Sequence, residues 1–273
     1  MQETRKREIR KKADSFRGKC NINGYGIIDL FKECEAQGYK LVRYPLGDDA
    51  DLGFTLKKDG DIVIFTNSCS RLSREIFTLA HEIGHVNLHM NDTSSFVDDS
   101  ITINGRSADE KEQEANYYAA CLLMPDDDAR RFIDLMIPDF KDKGLAAMDI
   151  ARLMSEFNVS FDMTLNRLEN LEIIDSNQKL CLDNERTMRT VGNLLRSVGG
   201  NAKLNEPSNV VDIPYEYIDY VIYNYNHNAI PKETLERVLE CYQLSIEDIN
   251  DKLDVKMDDS DDDLEDLIGG LED

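Results

Sequence analysis

Residues 78–89 read TLAHEIGHVNLH and place two of the four histidines of the chain, His81 and His85, around Glu82. In an α-helix, positions i and i+4 lie about 40° apart around the axis and roughly 6 Å apart along it, so the two imidazoles can meet on one metal ion. Glu82 lies about 100° further around the helix and can reach a water molecule on that ion without entering its coordination sphere. The stretch therefore predicts a metal site with two nitrogen ligands and a general base, although two surface or core histidines on a helix would show the same spacing.

A second long helix is predicted over residues 107–125, SADEKEQEANYYAACLLMP, which carry an apolar stripe at helical spacing. Glu112 and Asn116 lie one turn apart on the same face as that stripe and therefore turn inward. A catalytic zinc site normally has three protein ligands, so Glu112 is the predicted third ligand. Asn116 is placed to accept a hydrogen bond from a ligand imidazole. Acidic residues at a helix start also suit the helix dipole, but that explanation fits Glu110 better than Glu112.

Composition narrows the classes of partner. The chain has 273 residues and a net charge of -22, and half of that excess, -11, lies in residues 247–273, where thirteen acidic residues face two lysines. Such a charge disfavours binding to nucleic acids and to anionic membranes. The six cysteines form no C-x-x-C pair, the N-terminal MQETRKREIRKKADSF has no apolar run, and no segment is long and apolar enough to span a bilayer. These features predict reduced thiols and a cytoplasmic protein.

The order of the predicted elements indicates an α+β fold. A first amphipathic helix is expected in KREIRKKADSFRGKC and a second over residues 24–37, followed by a strand at YKLVRY. GFTLKK and DIVIFTN flank Asp59-Gly60, which suits a tight turn between antiparallel strands. A small antiparallel sheet should therefore precede the H-E-x-x-H helix. Later segments read as a helical bundle, and YEYIDYVIYNYNHNAI with KETLERVLECYQLSIEDI reads as a helical hairpin.

Three segments together resemble the ImmA/IrrE family of zinc-dependent metallopeptidases: DIVIFTN, REIFTLAHEIGHVNLH and EQEANYYAACLLMP. The resemblance covers roughly residues 5–172. It implies a zincin-like core of two helices and a small sheet, zinc bound by His81, His85 and Glu112, and Glu82 as the catalytic base. It also implies that the substrate is a partner transcriptional repressor with a helix-turn-helix domain.

The expected organisation has three parts. Residues 1–172 form the metallopeptidase domain, 173–257 a mainly helical C-terminal domain of unknown role, and 258–273 an acidic tail that is predicted to be disordered. In the predicted mechanism Glu82 takes the proton of the attacking water and returns it to the leaving amine. DIVIFTN is expected to hold the substrate extended by main-chain pairing. His89 is expected to pack or cap, and His227 to be structural.

Two other classes of function compete with this interpretation. IARLMSEFNVSFDMTLNRLENL can be read as a helix-turn-helix, which would make the protein a DNA-binding regulator, but SFDMTLNRLENL has one arginine and no lysine. The other alternative is a binding module that sequesters a transcriptional regulator without cleaving it, with zinc only structural. Glu82 argues against that alternative, since a purely structural zinc site needs no general base.

Overall fold

The computed structural model describes residues 1–47, 52–58, 60–90, 95–98 and 109–253. The helices within these ranges are Glu3–Arg17 (α1), Leu30–Ala36 (α2), Leu72–His89 (α3), Glu110–Leu123 (α4), Asp126–Met136 (α5), Phe140–Lys143 (α6), Ala147–Phe157 (α7), Phe161–Asn170 (α8), Ser176–Met188 (α9), Val191–Ser197 (α10), Glu216–Asn226 (α11) and Lys232–Cys241 (α12). The strands are Ile22–Asn23 (β1), Gly26–Ile27 (β2), Lys40–Tyr44 (β3), Gly53–Lys58 (β4), Asp61–Asn67 (β5) and Ser95–Asp98 (β6). The fold is therefore mixed α+β, as predicted, and the acidic tail at 258–273 lies outside the described residues.

The main sheet has four strands in the order β3-β5-β4-β6 and is mixed rather than antiparallel. β5 pairs antiparallel with β4, which confirms the predicted hairpin, but it pairs parallel with β3 on its other side. β3 ends and β4 begins at the same end of β5, where Tyr44 lies opposite Asn67 and Gly53 opposite Thr66. The expectation of an antiparallel sheet was wrong because β3 pairs with β5 and not with β4. The chain reverses direction twice between β3 and β5, which leaves these two strands parallel. The apolar run IVIF suits the central position of β5.

The expected helix over residues 24–37 is also only partly correct. A two-stranded hairpin begins with β1, just before that range, and its second strand, β2, occupies the start of the range. Helix α2 begins at Leu30, where the side chain of Asp29 accepts hydrogen bonds from the backbone N–H groups of Phe31 and Lys32. Because that carboxylate satisfies the first free N–H groups of the helix, it sets the start of α2 later than the apolar pattern suggests.

The core of the protein lies around α3 and α4, which pack side by side, with α1 against them. Ile9 of α1, Ile83 of α3 and both Tyr118 and Leu122 of α4 are fully buried in one hydrophobic cluster. Each of these helices therefore has the amphipathic pattern that the sequence predicts, and the polar residues of the site are set into an apolar surround.

Helices α7 and α8 form the pair that resembles a helix-turn-helix in the sequence, but α8 presents no cation to a groove. Its single arginine, Arg167, is 3% exposed and donates a hydrogen bond from Nε to the carbonyl oxygen of Met124 at 2.8 Å. Its surface carries Asp162 and Glu169, and α9 contributes the cations that pair with them. The DNA-binding interpretation is disfavoured because α8 offers no exposed cation to phosphates or base edges, and the cations beside it already pair with its carboxylates.

The chain divides into two compact units, residues 1–214 and 215–273. The predicted end of the first domain is residue 172, whereas the first unit continues to Pro214. Leu194, Leu195 and Leu204 explain this difference, since they are buried in the same hydrophobic cluster as α3 and α4. Side chains that enter a shared core belong to the same folding unit as that core.

The second unit, in its described part, contains the predicted helical hairpin, α11 and α12, followed by a 3₁₀ segment at Ile246–Lys252. It has its own small core of Val221, Ile222, Leu235, Leu239 and Ile249. No helix among the residues described in either unit is long and apolar enough to cross a membrane.

Residues 206–212, called the strap below, form an irregular segment of the first unit, in which Asn209 has a positive φ of 48°. The backbone N–H of Leu72, at the start of α3, donates to the carbonyl oxygen of Glu206 at 2.9 Å. Arg43 of β3 and Asp212 exchange two backbone hydrogen bonds of 2.7 and 2.9 Å. The strap therefore joins the start of α3 to the outer edge of β3.

A buried ion pair beneath the strap ties these elements together. Nε and Nη2 of Arg43 donate to the two carboxylate oxygens of Glu75 over 2.8 and 2.9 Å. Ser208 of the strap and Thr66 of β5 donate hydroxyl hydrogen bonds to the same carboxylate at 2.8 and 3.0 Å. Glu75 is fully buried on the first turn of α3. One carboxylate thus connects two strands, the strap and the helix that carries the histidines.

Replacing Arg43 by methionine should lower the free energy of unfolding by about 3–5 kcal/mol, because Glu75 would remain buried without its cation. The measurement is urea unfolding of the wild type and the variant. Arg152→Met is the matched control, since Arg152 is 44% exposed in its pair with Asp149 and its loss should cost less than about 1 kcal/mol. Equal losses in the two variants would contradict the central role of the buried pair.

Candidate metal centre

Helix α3 positions three of the four predicted site residues. His81, Glu82 and His85 are all fully buried, although each carries a polar or ionisable side chain. The i, i+4 spacing places the two imidazoles on one face, and their ring centroids lie 4.7 Å apart. Burying such groups is unfavourable unless they are paired or bind a cation, so this face of α3 is a candidate functional site set into the core.

Helix α4 brings the fourth residue to the same place. Glu112 lies in its first turn and is 8% exposed. The two helices pack closely because position 84 is a glycine: a Cβ atom there would lie 3.2 Å from the Cα atom of Ala115 and from Cδ1 of Tyr118. The close backbone approach at Gly84 therefore sets the distance over which Glu112 meets the histidines.

The three predicted ligands are brought together. Nε2 of His81 lies 3.0 Å from Nε2 of His85 and 3.2 Å from Oε2 of Glu112, while Nε2 of His85 lies 3.3 Å from Oε1 of Glu112. Two ligand atoms that are each about 2.0–2.1 Å from a tetrahedral zinc ion lie about 3.3 Å apart. The cluster therefore has the spacing of a zinc site, and two imidazoles with one carboxylate also suit neighbouring transition metals.

The ionisation state of the cluster suits a cation. Burial alone raises the pKa of the Glu112 carboxyl, but hydrogen bonds with His81 and His85 outweigh burial and lower the pKa below its usual range. Glu112 therefore remains an anionic ligand at neutral pH. Two imidazole nitrogens and a carboxylate this close repel one another unless a proton or a metal ion lies among them.

Asn116 supports the first histidine, as the sequence predicted. Its amide oxygen Oδ1 lies 3.0 Å from Nδ1 of His81. Because an amide oxygen only accepts hydrogen bonds, His81 donates from Nδ1, and a cation that replaces the proton on Nε2 would meet the lone pair of that nitrogen inside the cluster. Such an outer hydrogen bond fixes the tautomer and the orientation of a ligand imidazole.

Glu82 points to the sheet side of α3, where Thr55 of β4 donates a hydrogen bond from Oγ1 to its Oε2 at 2.5 Å. Both side chains are fully buried. Position 53 must be small for β4 to lie this close, since a Cβ atom on Gly53 would be 2.5 Å from Cγ2 of Thr78 and 3.0 Å from Oε1 of Glu82. Sequence reasoning did not identify Thr55; the only signal for it was the strand alternation that places positions 53 and 55 on one face.

His89 continues the same helical face but packs beside the cluster, as expected. Its Nε2 lies 3.7 Å from Oε2 of Glu114, and Nε of Arg5 in α1 donates to the other oxygen of that carboxylate, Oε1, at 2.7 Å. Burial and the neighbouring His85 lower the pKa of His89 to about 4, so it is neutral at neutral pH. His227 lies in the second unit, exposed and stacked on the ring of Tyr223. Neither histidine belongs to the cluster of His81, His85 and Glu112.

Two imidazoles from an H-E-x-x-H helix, a carboxylate from the next helix and a buried glutamate beside them are the parts of a metal-dependent hydrolase site. Comparison with known families agrees with this class. Residues 34–169 match the model of peptidase family M78, described as the IrrE N-terminal-like domain, and the chain belongs to this family. No curated protein matches the chain significantly.

Replacing Glu112 by alanine should reduce metal affinity by more than the roughly 10- to 100-fold loss typical of removing an outer hydrogen bond, because a direct ligand is lost. The measurement is metal content by mass spectrometry after dialysis, with about one ion expected per wild-type chain. Glu110→Ala is the matched control, since Glu110 lies on the same first turn and is exposed. Unchanged metal content in Glu112→Ala would contradict the assignment of the third ligand.

Proposed function

We propose that the protein is a zinc-dependent endopeptidase, on a zincin-like core, that hydrolyses a peptide bond in one specific protein substrate in the cytoplasm. The proposed substrate is a transcriptional repressor with a helix-turn-helix domain, so that cleavage relieves repression. The observation that carries the proposal is the buried cluster of His81, His85 and Glu112 next to Glu82 in a chain of a peptidase family.

Each side chain of the site has a role in this proposal. His81, His85 and Glu112 would hold the zinc ion, which supplies Lewis-acid activation of a water molecule and of the scissile carbonyl. Glu82 takes the proton of the attacking water on its carboxylate and delivers it to the nitrogen of the leaving amine. Thr55 fixes the orientation of the Glu82 carboxylate through its hydrogen bond to Oε2.

The residues packed around the site hold its polar side chains in place and exclude bulk water from them. The side chains of His81, Glu82 and His85 are shielded from bulk water by the packing of α3 against α4 and β4. In such a low-dielectric setting a carboxylate exerts a stronger electrostatic effect on a proton than it does in water.

The substrate strand differs from the one that the sequence suggested. DIVIFTN is β5, which has β3 on one side and β4 on the other, so its backbone groups are already used and it cannot hold a substrate. Within the described part of the four-stranded sheet the outer strands are β3, whose edge is joined by Asp212 of the strap, and β6. β6 pairs with β4, the strand that carries Thr55. We therefore assign substrate binding by strand addition to the outer edge of β6.

Replacing Glu82 by glutamine should leave the metal bound and slow cleavage about 10²- to 10⁴-fold, because the amide cannot accept the proton. The measurement is cleavage of the helix-turn-helix repressor encoded beside the gene, followed by electrophoresis and mass spectrometry of the products. Glu110→Gln is the control and should cleave at the wild-type rate.

Full activity of Glu82→Gln would refute Glu82 as the base. A repressor that the wild type binds but leaves intact would refute hydrolysis and support sequestration instead.

A further inference from the structure

Helix α11 of the second unit has two opposite faces. Ile218, Val221, Ile222 and Tyr225 recur at helical spacing and pack into the small core of this unit. The opposite face carries Tyr217, Tyr220, Tyr223 and His227, called the tyrosine face below. None of these four side chains contributes to the core of the unit.

The tyrosine face exposes an unusual amount of aromatic surface. Tyr217, Tyr220 and Tyr223 are 47%, 60% and 60% exposed, and Tyr215, just before the helix, is 76% exposed. The ring of His227 stacks on that of Tyr223 with centroids 3.9 Å apart, and its Nδ1 donates to the carbonyl oxygen of Tyr223 at 2.8 Å. Aromatic side chains grouped in this way are typical of protein interfaces, because they offer a large contact area at a low cost in conformational entropy.

The acidic charge around the tyrosine face favours a positively charged partner. The described part of the second unit, residues 215–253, has eight acidic and three basic residues, a net charge of -5. Glu216 and Asp219 border the tyrosines, and Lys252 pairs with Asp219 at 3.1 Å in an exposed contact. Residues 254–273 follow directly in the sequence and add ten acidic residues against one lysine. About two thirds of the net charge of the chain therefore lies in its last 59 residues.

We propose that the tyrosine face docks an arginine-rich segment of a partner protein. A guanidinium group can stack on an exposed tyrosine ring and at the same time pair with a neighbouring carboxylate. The negative field of the second unit attracts such a segment over long range, and the rings provide the short-range contact.

Other occupants fit this face less well. Nucleic acids and anionic membranes would be repelled by the same charge. A second copy of the chain would bring two units of like charge together, which is unfavourable at an interface. A basic protein segment is the occupant that both the charge and the aromatic surface favour.

Identifying the docked partner with the substrate rests on the function proposed above, because proteins that bind DNA carry basic surfaces. The docking itself does not depend on catalysis. It can therefore be tested on the full-length Glu82→Gln protein, in which hydrolysis does not interfere.

The test is fluorescence anisotropy of a labelled twelve-residue peptide with six arginines, and of the same peptide with six lysines, in increasing salt. The arginine peptide should bind more tightly than the lysine peptide. Tyr220→Ser combined with Tyr223→Ser should raise the Kd of the arginine peptide about tenfold and remove the preference, since each exposed cation–π contact contributes about two- to fivefold.

Leu135→Ser combined with Leu180→Ser is the matched control, because both leucines are at least 60% exposed and lie in the first unit. This pair should leave the Kd unchanged. If the Kd of the arginine peptide is unchanged in the tyrosine variant, the proposal is overturned, because the peptide is then attracted by the net charge of the protein alone. Sedimentation that reveals a dimer of the parent protein, dissociated by the tyrosine substitutions, would also overturn it by assigning the face to a second copy.

Discussion

The close packing of α3 against α4 at Gly84 is the constraint on which the site depends. A larger side chain at position 84 would push against Ala115 and Tyr118, and the carboxylate of Glu112 would move away from the two imidazoles. The separations of 3.0 to 3.3 Å among the two imidazole nitrogens and the two carboxylate oxygens of Glu112 leave little tolerance for such a shift. A backbone contact with no chemistry of its own therefore sets the geometry of the candidate metal centre.

The site also buries several ionisable groups in an apolar core, which is unfavourable in free energy. Two features of the protein reduce this cost. Hydrogen bonds from Thr55 and to Asn116 satisfy part of the polar capacity of Glu82 and His81. A bound cation would balance the remaining charge of Glu112, so metal binding should contribute to the stability of the folded state as well as to chemistry. The buried pair of Arg43 and Glu75 separately anchors the first turn of α3.

Local periodicity carried most of the predictable information. The turn spacing of the H-E-x-x-H segment and the inward face of the second helix were enough to select His81, His85 and Glu112, and Asn116 as a supporting residue. The contacts of Thr55 with Glu82 and of Ser208 with Glu75 join residues 27 and 133 positions apart, and such pairs leave no periodic signal. The same limitation explains why DIVIFTN was wrongly expected to bind the substrate. The central position of this strand, β5, depends on its parallel pairing with β3, which the sequence pattern does not reveal.

The central claim is that two imidazoles and one carboxylate of this chain hold a zinc ion. X-ray absorption at the zinc edge of the purified protein tests the donor set most directly. The account predicts nitrogen and oxygen neighbours at about 2.0–2.2 Å, with the outer-shell scattering of two imidazole rings. A sulfur neighbour at about 2.3 Å, which would place a cysteine on the metal, would contradict it.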